Sequence, residues 1–301
     1  MNLIFTMANQ RPPTIDPQAA ARWQQLPASA SPWLHEEVGS RMQERLEWIT
    51  LKPTRWAHWQ PVRGGLQTHA LLTKRYPKSQ CFVAESNDAY TKFATQSIAK
   101  PWWNPSGWTG SATQFEPPTE ASVQMLWANM SLHMAADPQQ LMAQWHRALA
   151  VEGFVMFSCL GPDTLRELRD LYQSLGWPAP SHEFTDMHDW GDMLVAAGFA
   201  EPVMDMERIT LTFETPERLL EELRGLGRNL HPQRFAGLRG RQWLANLRQA
   251  LKARPLQLTF EIIYGHAFKP QPRLTVRPET VLSLAQMRET LSLPKTYPSL
   301  P

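Results

Sequence analysis

"RWAHWQPVRGGLQTHALLTKRYP", residues 55–77, decides the fold class. Residues 55–59 read as a strand, Gly64 and Gly65 as a turn, and residues 66–76 as a helix. Strand, glycine turn and helix in that order form the first crossover of an α/β protein, where a nucleotide-type cofactor is usually held. Yet Pro61, Val62 and Arg63 stand where a phosphate or ribose would approach bare backbone.

Working outward, strand and helix patterns keep alternating. "CFVAE" (81–85) is a strand and "DAYTKFATQSIA" (88–99) a short helix. A Pro/Trp-rich loop, "KPWWNPSGWTG" (100–110), leads to a strand within "ASVQMLWANMSL" (121–132). The helix "PQQLMAQWHRALA" (138–150) and the apolar strand "GFVMFSCLG" (153–161) follow. Upstream, Asp16 caps a helix over 16–26 with Pro17 in its first turn. Leu34, Val38, Met42, Leu46 and Ile49 recur at helical spacing. Strands buried on both faces with helices between them predict a parallel, doubly wound sheet.

Past Gly161 helices dominate, over 162–176 and 186–199, the latter ending at Gly198. Residues 202–213 read as a strand, and Thr215 and Pro216 open a further helix. A basic helix at 241–253 precedes "LQLTFEIIYGHAF" (256–268), whose alternation suits the sheet's last strand. The organisation expected is a mobile arm over 1–15 and a cofactor-type α/β domain over 16–160. A helical insertion with strands completing the sheet follows over 161–268, then a Pro-rich tail over 269–301. No internal repeat is found.

With 301 residues and 43% hydrophobic composition, the chain can bury one large core with a subdomain. A formal charge of +2 is too small to imply a partner by itself. Cys81 and Cys159 lie in apolar runs, so they read as space-fillers in a reducing compartment, and a cytoplasmic location is expected. No run of about 18 apolar residues predicts a membrane span. "MNLIFTMANQRPP" lacks the basic start and long apolar core of a signal peptide; a disordered arm, or a start at Met7, is expected instead. Thirteen tryptophans imply core and pocket walls.

Six stretches together resemble one family: "WLHEEVGSRMQERL" (33–46), "KRYPKSQCFVAE" (74–85), residues 127–170 beginning "WANMSLHMAADPQQ", "DMHDWGDMLVAAGFAEPVMDMERITLTF" (186–213), "LLEELRGLGRN" (219–229) and "FEIIYGHAF" (260–268). The chain resembles the malonyl-[acyl-carrier-protein] O-methyltransferases of biotin synthesis, within the class I S-adenosylmethionine-dependent methyltransferases. The same segments also resemble a mitochondrial complex I assembly factor of methyltransferase fold that acts as an arginine hydroxylase. The resemblance implies an α/β, doubly wound seven-stranded class I methyltransferase (Rossmann-like) sheet with a helical substrate-side insertion. S-adenosylmethionine is the implied cofactor, bound at the carboxyl ends of the first strands.

The family's first motif is an acid ending strand one, then glycines at alternate positions. Aligned from the left, His58 takes the acid position and Gln60, Val62 and Gly64 the glycines. Aligned from the right, Gln60 takes the acid and Val62, Gly64 and Leu66 the glycines. Neither register supplies a carboxylate, each keeps only Gly64, and their offset suggests an insertion. Arg63 adds a cation near the expected sulfonium, unless it points to solvent or to a bound carboxylate. Glu85 matches the ribose-binding acid, against a plain solvated strand end. The adenine-side acid becomes Ser111, and the "FD" before strand four becomes Val123-Gln124.

The cofactor candidates carried over are therefore Gly64, Glu85, Ser111 and Asn129. His133, Arg224, Arg228 and Tyr264 are the substrate or partner candidates; no catalytic residue and no metal are assigned. Asn129 and His133 follow strand four, where they either face substrate or cap the strand and turn. Tyr264 and His266 close the pocket or end a strand. Trp59, Trp102, Trp103 and Trp108 fill an emptied cleft or anchor loops. Residues 224–260 hold eight cations (Arg224, Arg228, Arg234, Arg239, Arg241, Arg248, Lys252 and Arg254) and no acid. That is a local field suited to an acidic acyl carrier protein, or else a solvated helix face. No nucleic-acid motif is present.

Three function classes follow. One is an active methyltransferase capping a carrier-borne malonyl carboxylate, which needs alignment rather than a general base. Another is a pseudo-enzyme that keeps the fold and the partner surface but binds the cofactor weakly. The last modifies or assembles another protein.

Overall fold

The computed structural model describes residues 15–27, 30–98 and 113–272. Ser111, Trp102, Trp103, Trp108, the N-terminal 14 residues and most of the tail lie outside the described residues. The chain divides into residues 1–270 and 271–301, and only Gln271 and Pro272 of the second unit are described.

Helices α1 (Pro17–Gln25) and α2 (Trp33–Arg45) precede the sheet. Asp16 accepts from Gln18 N–H and Ala19 N–H, and Pro17 sits where no donor is needed, so α1 starts as its sequence directs. The strands are β1 (Arg55–Trp59), β2 (Gln80–Ala84), β3 (Thr113–Gln114), β4 (Val123–Ala128), β5 (Leu149–Leu160), β6 (Ala200–Thr212) and β7 (Gln257–Phe268). Between them run α3 (Pro61–Gly64), α4 (Leu66–Arg75), α5 (Asp88–Ile98), α6 (Pro138–Ala148), α7 (Arg166–Ser174), α8 (Met187–Ala196), α9 (Pro216–Leu226) and α10 (Arg241–Lys252).

One seven-stranded sheet results, in the order β3-β2-β1-β4-β5-β7-β6. Strands β1 to β5 pair in parallel, as the alternation predicted. The sheet as a whole is mixed, because β7 runs antiparallel to both β5 and β6. Nor does β7 lie at the margin: it is inserted between β5 and β6, and most of its residues are buried. The margin is β6, whose exposure alternates along its length. Sheet order is set by the return path of the chain, which local alternation does not encode.

Core side chains cover both faces. Trp56, Trp127, Met125 and Tyr264 belong to one cluster, with Leu34, Leu72 and Leu247 from the helices. Leu126, Phe157 and Ile263 belong to the other, with Trp145 and Leu194. A small third cluster holds α1, through Ala19, Ala20 and Trp23 against Leu230. Both cysteines are buried and free.

Candidate functional site: two adjoining clefts

At the carboxyl end of β1 the chain turns through Gln60, whose φ of 54° is unusual for a residue with a Cβ. Its N–H donates to the carbonyl of Ala84 at the end of β2, 2.7 Å away. The single turn α3 follows, and Gly65 at φ 134° redirects the chain into α4, a conformation that calls for glycine. The crossover is therefore two-stepped rather than one glycine turn. It borders a cleft of about 330 Å³, lined by Trp23, Gln60, Arg63, Gly64, Glu85 and Asn129 among others.

The backbone donors of this crossover are taken by the protein itself. Val62 N–H donates to Glu85 Oε1 at 2.8 Å. Leu66 N–H donates to Ser31 Oγ at 3.0 Å, and Gln67 and Thr68 N–H both donate to the Glu36 carboxylate, at 3.0 and 2.9 Å. Open helix N-termini hold anions through such groups; here Ser31 and Glu36 close this one. Gly64 faces the chain's own backbone: a Cβ there would lie 2.9 Å from the carbonyl oxygen of Asn129. Asn129 is fully buried. Its amide donates to the carbonyls of His35, at 2.7 Å, and Gly64, while its oxygen accepts from Ser158 Oγ at 2.5 Å.

Arg63 is drawn inward. Its guanidinium lies 3.6 Å from the centroid of the Trp23 ring. Nη2 donates to the carbonyls of Trp23 (3.3 Å) and Leu26 (2.9 Å) and to the Tyr90 hydroxyl. It thereby straps the carboxyl end of α1 across the cleft, where the helix dipole favours a cation. Arg63 pairs with no carboxylate among the described residues, its Nε is buried without a partner, and burial lowers its pKa. Burial likewise raises the Glu85 carboxyl to about 7, against the Val62 N–H bond and the Arg63 charge, which lower it. The other carboxylate on the cleft, Asp137, caps α6 by accepting from Gln140 N–H at 2.9 Å.

A second cleft of about 360 Å³ adjoins the first, with Met134 and Leu226 lining both. Its walls are apolar, from Leu168 of α7, Leu220 and Leu223 of α9, Trp243 and Leu247 of α10, and Phe184. Arg224 and Arg228 border it. Arg228 donates to the carbonyls of Arg224 (2.5 Å) and Gly227 (2.7 Å), and neither arginine pairs with an acid among the described residues. His133 is buried in its wall: Nδ1 accepts from Leu160 N–H at 3.4 Å, and burial holds the imidazole well below its ordinary pKa. His182 Nε2 donates to the His133 carbonyl at 2.9 Å.

The structure thus gathers Gly64, Glu85 and Asn129 on the first cleft, and His133, Arg224 and Arg228 on the second. Tyr264 lines neither. It pairs with Ser158 and Asp205 inside the sheet, donates to Glu207 Oε1 at 2.5 Å and carries the Arg45 guanidinium 3.7 Å above its ring. The expectation that it closes a pocket is corrected accordingly: the residue is a sheet interior. His58, at one register's acid position, is turned away against His69, with the two Nδ1 atoms 3.1 Å apart. Sequence reasoning passed over Ser31, Glu36, Tyr90 and His182, because their partners lie far along the chain.

The sheet order and the cleft at the ends of β1, β2 and β4 define a class I S-adenosylmethionine-dependent methyltransferase fold. A Bacillus halodurans protein assigned as a methyltransferase superposes with a TM-score of 0.52 at 12% identity, over 77% of this chain and all of that one. The YcgJ protein of Bacillus subtilis does so with a TM-score of 0.50, also at 12% identity, over 78% of this chain and 99% of that one. No family model matches the chain. Among curated relatives, the malonyl-[acyl-carrier protein] O-methyltransferase of Gallionella capsiferriformans is 38% identical, covering 81% of this chain and 87% of the relative. That of Methylovorus is 34% identical over 82% and 86%. The chain belongs to the malonyl-[acyl-carrier protein] O-methyltransferase family, whose cofactor is S-adenosylmethionine.

Proposed function

We propose that this chain binds a short acyl group with a free carboxylate, presented by an acyl carrier protein, and that its methyl transfer is weak or lost. The substrate is the kind for which its relatives are named. The observation carrying this reading is the contrast between the clefts: Arg224 and Arg228 border an apolar cleft with no acid partner among the described residues, while Arg63, held by carbonyls and the Tyr90 hydroxyl but by no described carboxylate, lines the cofactor-type cleft. A guanidinium suits a carboxylate and repels a sulfonium.

The residues present do not fit the cationic end of S-adenosylmethionine. Trp59 and Gln60 line the cleft at the end of β1, so among the described residues no carboxylate faces the donor there. Gly64 is packed on Asn129, the crossover amides are engaged, and Arg63 brings its charge inside. Each lost charged hydrogen bond costs about 1.5–3 kcal/mol. Two or three such losses move a micromolar ligand toward the millimolar range. Because a carboxylate is already nucleophilic at neutral pH, methyl transfer depends on how the donor is placed.

The partner side rests on the basic segment. Arg234 pairs with Asp16 at 2.6 Å and Arg248 with Glu217 at 3.1 Å. Steering of an acidic carrier therefore falls to Arg224, Arg228, Arg239, Arg241, Lys252 and Arg254. A second reading, retained methyl transfer, is favoured by the family to which the chain belongs and by Glu85, which lines the cleft at the position that the resemblance gives to the ribose-binding acid.

The test is equilibrium binding of a malonyl-loaded acyl carrier protein at low and moderate salt, with labelled methyl transfer followed in parallel. Micromolar, salt-weakened binding with methyl ester formed at least about a hundredfold more slowly than by an active relative is expected. Absence of carrier binding refutes the partner assignment. Ester formation at the relative's rate establishes the second reading.

A further inference from the structure

Three buried polar atoms on the apolar cleft have no partner among the described residues: Trp243 Nε1 and two that are neighbours in the chain. Ser181 and His182 are both buried and both line the cleft. Ser181 Oγ and His182 Nδ1 have no hydrogen-bond partner among the described residues. The histidine's tautomer follows from its other nitrogen: Nε2 lies 2.9 Å from the His133 carbonyl, which can only accept, so Nε2 carries the proton. Burial lowers the pKa, which keeps the ring neutral and leaves Nδ1 a bare acceptor. The ring is held against Phe184 with centroids 4.8 Å apart, and Asn229 Nδ2 ties the preceding loop through the Ala179 carbonyl at 2.7 Å. The His182 ring cannot turn to water without breaking its His133 bond and its Phe184 packing.

A buried acceptor and a buried hydroxyl among leucines, with no partner among the described residues, are costly unless a ligand supplies the partners. The ligand required has apolar stretches matching Leu220, Leu223 and Leu247, one N–H donor for Nδ1 and one carbonyl for the serine hydroxyl. A secondary amide supplies both. We propose that Ser181 and His182 form the polar station of the second cleft and receive an amide of a linear, amide-bearing thioester arm. The arm's identity as a carrier's prosthetic group rests on the function proposed above; the amide station itself does not.

The test uses neither carrier protein nor methyl donor. Binding of S-malonyl-N-acetylcysteamine to the full chain is compared, by ligand-detected NMR, with that of the analogue whose amide N–H is replaced by an ester oxygen. The wild type should prefer the amide by about tenfold. His182→Phe should abolish that preference, and Ser181→Ala, which leaves the His133 tether in place, should reduce it by a few-fold. Arg228→Gln should weaken both ligands alike. Equal affinity of the wild type for amide and ester, or no binding of either at about 10 mM, overturns the station even if carrier protein binds. An intact amide preference with no carrier binding overturns the carrier reading alone.

Discussion

The two clefts share Met134 and Leu226, and each leaves some buried polar atoms unserved among the described residues (Trp59 Nε1, Arg63 Nε and Ser131 Oγ on the first), yet they differ in what happens to the groups a ligand would use. On the crossover side Val62, Leu66, Gln67 and Thr68 N–H, the Asn129 amide and part of the Arg63 fork are all bonded within the protein. On the apolar side Ser181 Oγ and His182 Nδ1 are unserved, and Arg224 and Arg228 face no acid among the described residues. The crossover amides resemble a site converted into structure, while the apolar side keeps a buried acceptor and hydroxyl side by side without partners among the described residues. A methyltransferase-type sheet can hold both, because its strands fix where clefts form and its loops fix what each cleft can bind.

The largest effect expected is on acidification, since histidines packed around the crossover are buried and neutral. His35, whose Nδ1 donates to the Arg63 carbonyl at 2.8 Å, is lowered to about 4 by burial, and His69 likewise. The unfolded chain takes up these protons near pH 6.5, the folded chain only near 4. Stability present above pH 6.5 is therefore lost as pH falls through that window, by about 3 kcal/mol for His35 alone. Urea unfolding at pH 7 and 4.5 measures the loss, and His35→Gln should remove its share. An unchanged acid slope in that variant would detach the crossover from the effect.

Asn129→Ala comes next. It strands the buried carbonyls of Gly64 and His35, and unfolding should cost about 3 kcal/mol less than in the wild type. A change under about 0.5 kcal/mol would mean that Asn129 is not part of the internal clamp. For Gly64→Ala, the approach to the Asn129 carbonyl predicts a loss of about 2 kcal/mol. Were this glycine kept only for a ligand, the variant would be as stable as the parent.

Glu85→Gln should have the smallest effect, and the opposite sign. The Glu85 pKa near 7 lies above the unfolded carboxyl value, so ionisation costs stability as pH rises from 4.5 through 7. The amide oxygen can still accept from Val62 N–H. A gain of about 1 kcal/mol at pH 8, discounted for partial exposure, and none at pH 5 is expected. Thermal unfolding at the two pH values checks it, and a loss at pH 8 would contradict the buried-acid description.

Much of this was readable from residues near one another in the chain. Asp16 and Pro17 announce α1, and "CFVAE" places Glu85 at a strand end. The missing acid at His58 or Gln60 and the solitary Gly64 already pointed to an altered cofactor motif. What escaped was set by distance. Glu36 reaches 32 residues forward to the N-terminus of α4, and nothing in an amphipathic helix pattern marks that carboxylate as a cap. Arg63 stood out as a misplaced cation, but its partners are backbone carbonyls of α1, which carry no residue-type signal. For Tyr264 the local sequence allows pocket closure or a strand end, and only the sheet order shows it enclosed within β7. Ser181 and His182 became visible only once burial showed them without partners.

The most direct test of the central claim is a calorimetric titration of the wild-type chain with S-adenosylmethionine at neutral pH. With Arg63 inside the crossover cleft and no carboxylate lining it at the end of β1, no saturable heat is expected below about 1 mM ligand. A dissociation constant in the micromolar range would show that the cleft accepts the sulfonium after all, and the account of a converted cofactor site would fail.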